Sequence, residues 1–521
     1  MKAHLMYRDR DFGQELESLV MRPWVTEVRS ELLSNEKALT QDLELKTLFG
    51  AMAGGDECLF AVARQAILSA LQDDLETILY RQAVLKDCLR NESVVRNLYD
   101  IAVEATVGER RRWLGIASRF PRGILWDSLR LLQVLMSELA KLKHVADQQA
   151  GKFESEGFTV FFRMLKTELA DDYFAAVKAQ LQQLEFRGGV LMSAELGEGN
   201  QGINYVLRKS LRPKPNWIQR FFSWNSSDYT FHLDPRDEGG FQALSELEER
   251  GINQVANAAA QSADHVSSFF ARLRTELAFY VGCLNLHRQL GRKGVPVCFP
   301  VPASPGARKL SCVGLRDASL VLSMESSVVG NDLNADGKNL VIITGANQGG
   351  KSTFLRGIGL AQLMMQCGMF VAAKSFSTDI CRSIFTHYKR EEDASMKSGK
   401  FDEELDRMNS IVDALTPNSL LLFNESFAAT NEREGSEIAA QIIRALLETR
   451  VKIFFVTHLY EFAHGLWENN MSNAIFLRAE RQDDGQRTFK LLTGEPLETS
   501  FGPDLYKEIF ETGSKHKVLT S

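Results

Sequence analysis

The chain has 521 residues, with 61 Lys+Arg against 67 Asp+Glu, and is 44% hydrophobic and 25% charged, a composition that excludes disorder and collagen. A net charge of −6 gives no global attraction to nucleic acid or anionic lipid, so any such contact must come from local patches. Seven cysteines without a Cys-x-x-Cys pair exclude a disulfide framework and a zinc ribbon and indicate a reducing cytoplasm.

At roughly 100–200 residues per domain, the length argues for about three domains. The N-terminus, MKAHLMYRDRDF, has no apolar h-region, and no apolar run approaches the roughly 18 residues that span a bilayer. The expectation is a chain neither exported nor membrane-embedded.

From about Val25 to Ile101, apolar residues recur at spacings of three and four with charges between them and no Pro after Val25, which predicts a packed helical lobe. Helical pattern continues to about Ala150 and again from Phe158 to Leu184. The period then changes. Two β-prone runs, Val190–Ala194 and Ile203–Leu207, flank a Gly/Asn/Gln-rich turn and predict a hairpin within Phe186–Arg208. A Pro- and Trp-containing irregular segment follows, and from about Gly240 to Leu290 the pattern is one long helix, far beyond the mean of roughly 11–12 residues. Such a helix usually spans between lobes. After the Gly/Pro-rich break "GRKGVPVCFPVPASPG", apolar strands alternate with helices, which predicts a parallel sheet covered on both faces.

The sharpest motif is Gly345-Ala346-Asn347-Gln348-Gly349-Gly350-Lys351-Ser352, placed between the apolar run Leu340–Thr344 and a helix over Thr353–Gln366. It is a Walker A pattern in strand–loop–helix context. The glycines let backbone N–H groups converge on phosphate oxygens, Lys351 bridges the terminal phosphates of ATP, and Ser352 offers a hydroxyl to Mg²⁺. A second apolar run, Leu420–Phe423, ends in Asn424 and Glu425, as a Walker B strand does. Asn424 stands where that chemistry usually has Asp; losing one negative charge beside Mg²⁺ predicts weaker metal binding or slower turnover. Glu425 remains as the base for the attacking water. His458 ends a third run, "KIFFVTH", where a γ-phosphate contact is open to it; a lone His at a strand end is more often only a satisfied polar residue.

These blocks resemble the MutS ATPases of DNA mismatch repair. "IITGANQGGKSTFLRGIGLAQLMMQCGMFVAAKSF" is similar to the family's Walker A block, and "SIFTHYKREEDASMKSGKFDEEL" to the block with a Phe and a Glu, here Phe401 and Glu404. "SLLLFNESFAATNEREG", with Thr430 and Gly435, "FFVTHLYEFA" and "VVGNDL" complete a likeness that covers about Leu310 to Phe462. The resemblance implies an α+β multidomain fold: a helical core lobe over 1–150, lever helices over 151–292 with a clamp-like hairpin at about 186–235, and an α/β P-loop NTPase domain of the ABC/MutS type over 293–521. It also implies a homodimer on DNA, driven by ATP and Mg²⁺, with a downstream repair protein as a further partner. Near the clamp, the basic residues Arg208, Lys209, Arg212, Lys214 and Arg220 are candidates for DNA phosphates, against the alternative of a solvated basic loop.

Three departures bear on function. The sequence offers no candidate for the family's mismatch-reading domain with its Phe-x-Glu wedge, nor for an Smr-type nuclease tail. Gly399 occupies the position of the family's Ser that reaches the neighbouring subunit's nucleotide, with Ser398 one step away. Two further readings stay open: a MutS-like ATPase acting on a protein partner or a branched nucleic acid, and a weakly catalytic nucleotide-binding scaffold.

Overall fold

The computed structural model describes residues 1–12, 33–114, 120–186, 189–208, 233–234, 236–390, 399–482 and 487–497. The helical half contains α1 (Glu36–Asp42), α2 (Leu45–Ala53), α3 (Glu57–Ser69), α4 (Leu75–Arg90), α5 (Glu92–Leu114), α6 (Pro121–Gln149), α7 (Glu156–Glu168) and α8 (Asp171–Leu184). Starts are set by side chains that accept the orphan first-turn N–H groups, Asp56 for α3, Asp74 for α4 and Ser155 for α7. The pattern from Phe158 to Leu184 is two helices rather than one. It breaks at Leu169, which turns its side chain into the core, and restarts with Asp171 and Asp172 in a first turn that favours negative charge.

The predicted β-prone runs pair antiparallel as β1 (Met192–Leu196) and β2 (Gly202–Leu207). The long helical pattern is α9 (Glu238–Arg292), 55 residues in one element. Its two halves meet different surroundings. Phe241, Leu244 and Leu247 near its start are exposed, whereas Phe270, Leu273, Leu277, Phe279, Tyr280 and Leu284 are buried among α2, α3, α5 and α6. The N-terminal segment is stitched to this buried half. Leu5 and Met6 N–H both donate to the Glu276 carboxylate, Tyr280 Oη donates to Leu5 O at 2.6 Å, and Arg81 Nε donates to Met6 O at 3.0 Å.

The remaining chain builds two sheets. Strands β3 (Val301–Ala303), β4 (Leu310–Leu315), β5 (Asn331–Asn334) and β7 (Ser375–Asp379) form a four-stranded sheet in the order β3-β7-β4-β5. Between β4 and β5 lies the short helix α10 (Ala318–Ser323), capped by Asp317. The six-stranded sheet runs β12-β11-β6-β10-β9-β8, with β6 (Leu340–Thr344), β8 (Ile384–Tyr388), β9 (Leu420–Asn424), β10 (Lys452–Val456), β11 (Ala474–Arg481) and β12 (Arg487–Thr493). Five of these strands are parallel; β12 departs from the parallel expectation and pairs antiparallel at the edge. Helices α11 (Lys351–Gln366), α12 (Lys400–Ala414), α13 (Glu432–Glu448) and α14 (Tyr460–Glu468) accompany the strands.

The strand letters explain the double covering. On β6, β9 and β10, Val341, Ile343, Leu420, Leu422, Phe454 and Val456 join the large core shared with the helical half. Their alternates Leu340, Ile342, Leu421, Phe423, Ile453 and Phe455 form a second core with α12, α13 and α14. A period of two thus sends every apolar side chain of these strands into one core or the other, which is why they read as continuous apolar runs. Among the described residues, no helix is long and apolar enough to cross a membrane.

Candidate nucleotide site at the strand ends

Register brings the carboxyl ends of three strands to one edge: Val456 pairs with Ile343 on β6 and with Asn424 on β9. The loops leaving these strands carry Gly345, Glu425 and His458, so residues distant in sequence meet in the crevice beyond the sheet edge, where ligands of parallel α/β sheets bind.

The loop after β6 needs its glycines. Gly345 and Gly350 have φ of 115° and 88°, and a Cβ at Gly345 would lie 2.8 Å from Ala479 N on β11. Gly350 leads into α11, whose first residue is Lys351. The Lys351 side chain folds back over the loop. Its Nζ donates to Gly345 O at 2.7 Å and Ala346 O at 2.9 Å, and lies 3.3 Å from His458 Nε2. Burial pushes its pKa down to about 8, with the nearby Glu425 carboxylate acting in the opposite direction. The buried ammonium is thus satisfied by carbonyls of its own loop.

Beside it, Ser352 Oγ donates to Asn424 Oδ1 at 2.8 Å, which places the two oxygens proposed for Mg²⁺ in contact. Both are hard oxygen donors of the type this ion takes, and they fit it with one carboxylate fewer than Asp would give. Glu425 has a φ of 55°, and its N–H donates to Val456 O at 2.9 Å. Its Oε1 lies 3.2 Å from His458 Nε2. A hydrogen bond from His458 holds the Glu425 carboxyl below its usual range, opposed by burial and assisted by the charges of Lys351 and Lys389. His458 Nε2 therefore faces both an ammonium and a carboxylate. Protonated, it donates to Glu425; bare, it accepts from Lys351.

Asn347, Gln348, Gly349, Gly350, Lys351, Ser352, Thr353 and Glu425 line a cavity of about 300 Å³. Its other wall is largely apolar, from Leu320 of α10, Met324 just after it, Val328, Val329 and Phe489, with Ser326, Ser327 and Asn331 among them. The sequence motifs pointed to the polar wall only. On the other wall only Val328 and Val329 belong to a block that the sequence marked, "VVGNDL", without a role; Leu320, Met324 and Phe489 carry no motif, and the fold alone brings them together. A polar cradle beside an apolar slot suits a phosphate chain attached to a flat base. Arg208 is not part of this site: it sits just past β2, where its Nε donates to Ser193 Oγ at 2.9 Å. Lys209, Arg212, Lys214 and Arg220 lie outside the described residues, as does Ser398. Gly399 is the residue preceding α12.

Comparison with known proteins decides the family. The MutS2 N-terminal domain matches residues 73–293 and MutS domain V matches residues 341–509. The chain belongs to the MutS family. The DNA mismatch repair protein MutS of Chlorobium chlorochromatii is 26% identical over 467 residues, 84% of this chain and 52% of that protein. Endonuclease MutS2 of Lacticaseibacillus casei is 30% identical over 254 residues, 47% of this chain and 32% of the relative. Human MutS protein homolog 4 is 34% identical over 143 residues, 27% of this chain and 15% of the relative. The chain thus spans at most about half the length of these curated relatives. Domain V matches the part that carries the glycine loop, Asn424, Glu425 and His458, and in this family that domain is an ATPase.

Proposed function

We propose that this chain binds ATP and Mg²⁺ at the strand-end cavity and hydrolyses ATP, and that the nucleotide state moves helical levers and a clamp against DNA in mismatch repair or related DNA maintenance. The observation that carries the proposal is the meeting of Lys351, Ser352, Asn424, Glu425 and His458 at one sheet edge. The loop amides and Lys351 hold the terminal phosphates, and Ser352 and Asn424 hold the metal. Mg²⁺, when bound, neutralises phosphate charge and polarises the transferring group. Glu425, whose carboxyl the His458 hydrogen bond holds below its usual range, orients the attacking water and takes its proton. The loop, strand and helix arrangement supports a P-loop domain of the ABC/MutS type over 293–521, with a core lobe over 1–150 and levers and clamp over 151–292.

The DNA contact rests on family membership and on the basic run beginning at Arg208, which is exposed at the base of the β1–β2 hairpin. A homodimer and a downstream repair protein follow from the same likeness. The seven cysteines are all free, which suits a reducing cytoplasm. One observation favours a second reading: with Asn424 in place of an acid, the site also suits a scaffold that binds nucleotide and turns it over slowly or not at all.

DNA binding across a salt series tests the functional half. Phosphate neutralisation predicts a linear fall of log affinity with log salt for duplex or branched DNA. Binding that ignores salt, or no binding to any DNA, contradicts the clamp reading and moves the weight to a protein partner.

A further inference from the structure

The turn after β9 is an uncomfortable piece of backbone. Glu425 and Phe427, neither of them glycine, both adopt left-handed φ, 55° and 63°. Each such residue costs roughly 1–2 kcal/mol, so the surroundings must over-determine the turn. Gly435 opens α13 against it: a Cβ there would sit 2.4 Å from Phe427 O.

Two groups from elsewhere hold it. The first is Glu404, on the first turns of α12 and 4% exposed, whose Oε2 accepts the Phe427 N–H at 3.0 Å. Among the described residues its other oxygen, also buried, has no hydrogen-bond partner. The second is His387 on β8, 2% exposed and stacked on the Phe427 ring at 5.4 Å with a 20° tilt. His387 Nε2 donates to the Glu404 carbonyl at 3.0 Å, which fixes Nδ1 as the bare nitrogen. Nδ1 lies 2.7 Å from Ser426 Oγ, whose single proton is shared between Nδ1 and His387 O. Burial holds this imidazole neutral, with its pKa down at about 4.

We propose that Glu404 is a positioning residue for hydrolysis: by accepting the Phe427 N–H, it locks the 425–427 turn in the shape that aims the Glu425 carboxylate into the cavity. This rests on the reading of Glu425 as the base. Glu404 itself faces neither the glycine loop nor the apolar slot, and α12 lies on the opposite core from α11. Its influence is therefore confined to the chemical step, and the placement of α12 becomes a condition for turnover. A carboxylate left half-satisfied in a buried place is poor design for stability alone, since an unpaired polar oxygen carries a desolvation cost.

The test measures kcat and the Kd of a non-hydrolysable ATP analogue for wild-type, Glu404→Ala, Glu404→Gln, Glu404→Asp and Glu425→Gln full-length chains. Glu404→Ala loses kcat by about ten-fold or more with Kd unchanged, as expected when only a transition-state interaction is removed. Glu404→Gln, whose amide oxygen still accepts the N–H, stays within a few-fold of wild type, and Glu404→Asp, too short to reach, behaves as Ala. If Glu404→Ala does not fold, the Gln and Asp pair decides. A Glu404→Ala or Glu404→Asp enzyme with wild-type kcat, or one losing Kd and kcat together, overturns the proposal. Turnover retained in Glu425→Gln, or absent in the wild type, removes the base reading itself and the proposal with it.

Discussion

The Ser352 hydroxyl donates to the Asn424 amide oxygen across 2.8 Å, so the pair proposed for the metal presents two neutral oxygens at this edge of the sheet. An amide keeps the geometry of an acid and loses its charge. Restoring the charge with Asn424→Asp adds, for a divalent ion about 4 Å away in a partly screened site, an attraction of ~8 kcal/mol before desolvation is subtracted. The Mg²⁺ concentration for half-maximal ATP hydrolysis is expected to fall by about ten-fold or more in Asn424→Asp. A metal titration of steady-state hydrolysis checks this, and an unchanged midpoint would remove Asn424 from the metal site.

Lys351 makes the empty site pH-dependent. Its pKa is pushed down by burial to about 8 from 10.5, so between these values the unfolded chain binds more protons than the folded one. Stability of the nucleotide-free protein therefore gains from this group as pH rises from about 8 toward 10.5, and Lys351→Met abolishes that gain. ATP-analogue affinity follows the opposite course, weakening above about pH 8 as the ammonium loses its proton. Thermal melts and binding isotherms at three pH values read both slopes.

Arg356, in the second turn of α11, ties that helix to the helical half through Glu44 and to the cap of α10 through Asp317. The Asp317 side chain is fully buried, and burial pushes its pKa up, against the pull of Arg356. Arg356→Ala leaves that buried carboxylate without a charged partner, with the Leu320 N–H still donating to it, and is expected to cost about 3–5 kcal/mol. Urea unfolding measures it; a loss under about 1 kcal/mol, the range of an exposed pair, would contradict the buried-pair account.

Gly435→Ala drives a methyl into Phe427 O, a backbone atom that cannot swing aside. The expected result is a stability loss of roughly 1–3 kcal/mol from overpacking. Turnover falls with it, while ATP-analogue binding stays intact. Equal turnover in Gly435→Ala would show that the 425–427 turn tolerates displacement.

Much of the nucleotide edge was legible because its strands are buried on both faces. Leu340–Thr344 and Leu420–Phe423 are apolar at every position up to the polar residue that ends them, and the glycine loop has one physical use. The long helix α9 was legible from unbroken periodicity without Pro. The four-stranded sheet was not, since Ser375–Asp379 and Asn331–Asn334 are short and mostly polar, and Ser375–Asp379 pairs with strands far back along the chain. Strand β8 hid for a related reason: Thr386 and His387 are buried there, and a buried polar residue breaks the pattern that marks a strand. Phe489 carries no motif and acquires its meaning only from neighbours that folding supplies; Val328 and Glu404 sit in blocks the sequence marked, but their contacts come from the fold.

Steady-state ATP hydrolysis by the purified chain and by Glu425→Gln, with no DNA and with matched, mismatched and branched duplexes at low and high salt, tests the central claim most directly. The account predicts Glu425-dependent hydrolysis that one class of DNA stimulates and that loses the stimulation as salt rises. Hydrolysis indifferent to every DNA, or unaffected by Glu425→Gln, would contradict it.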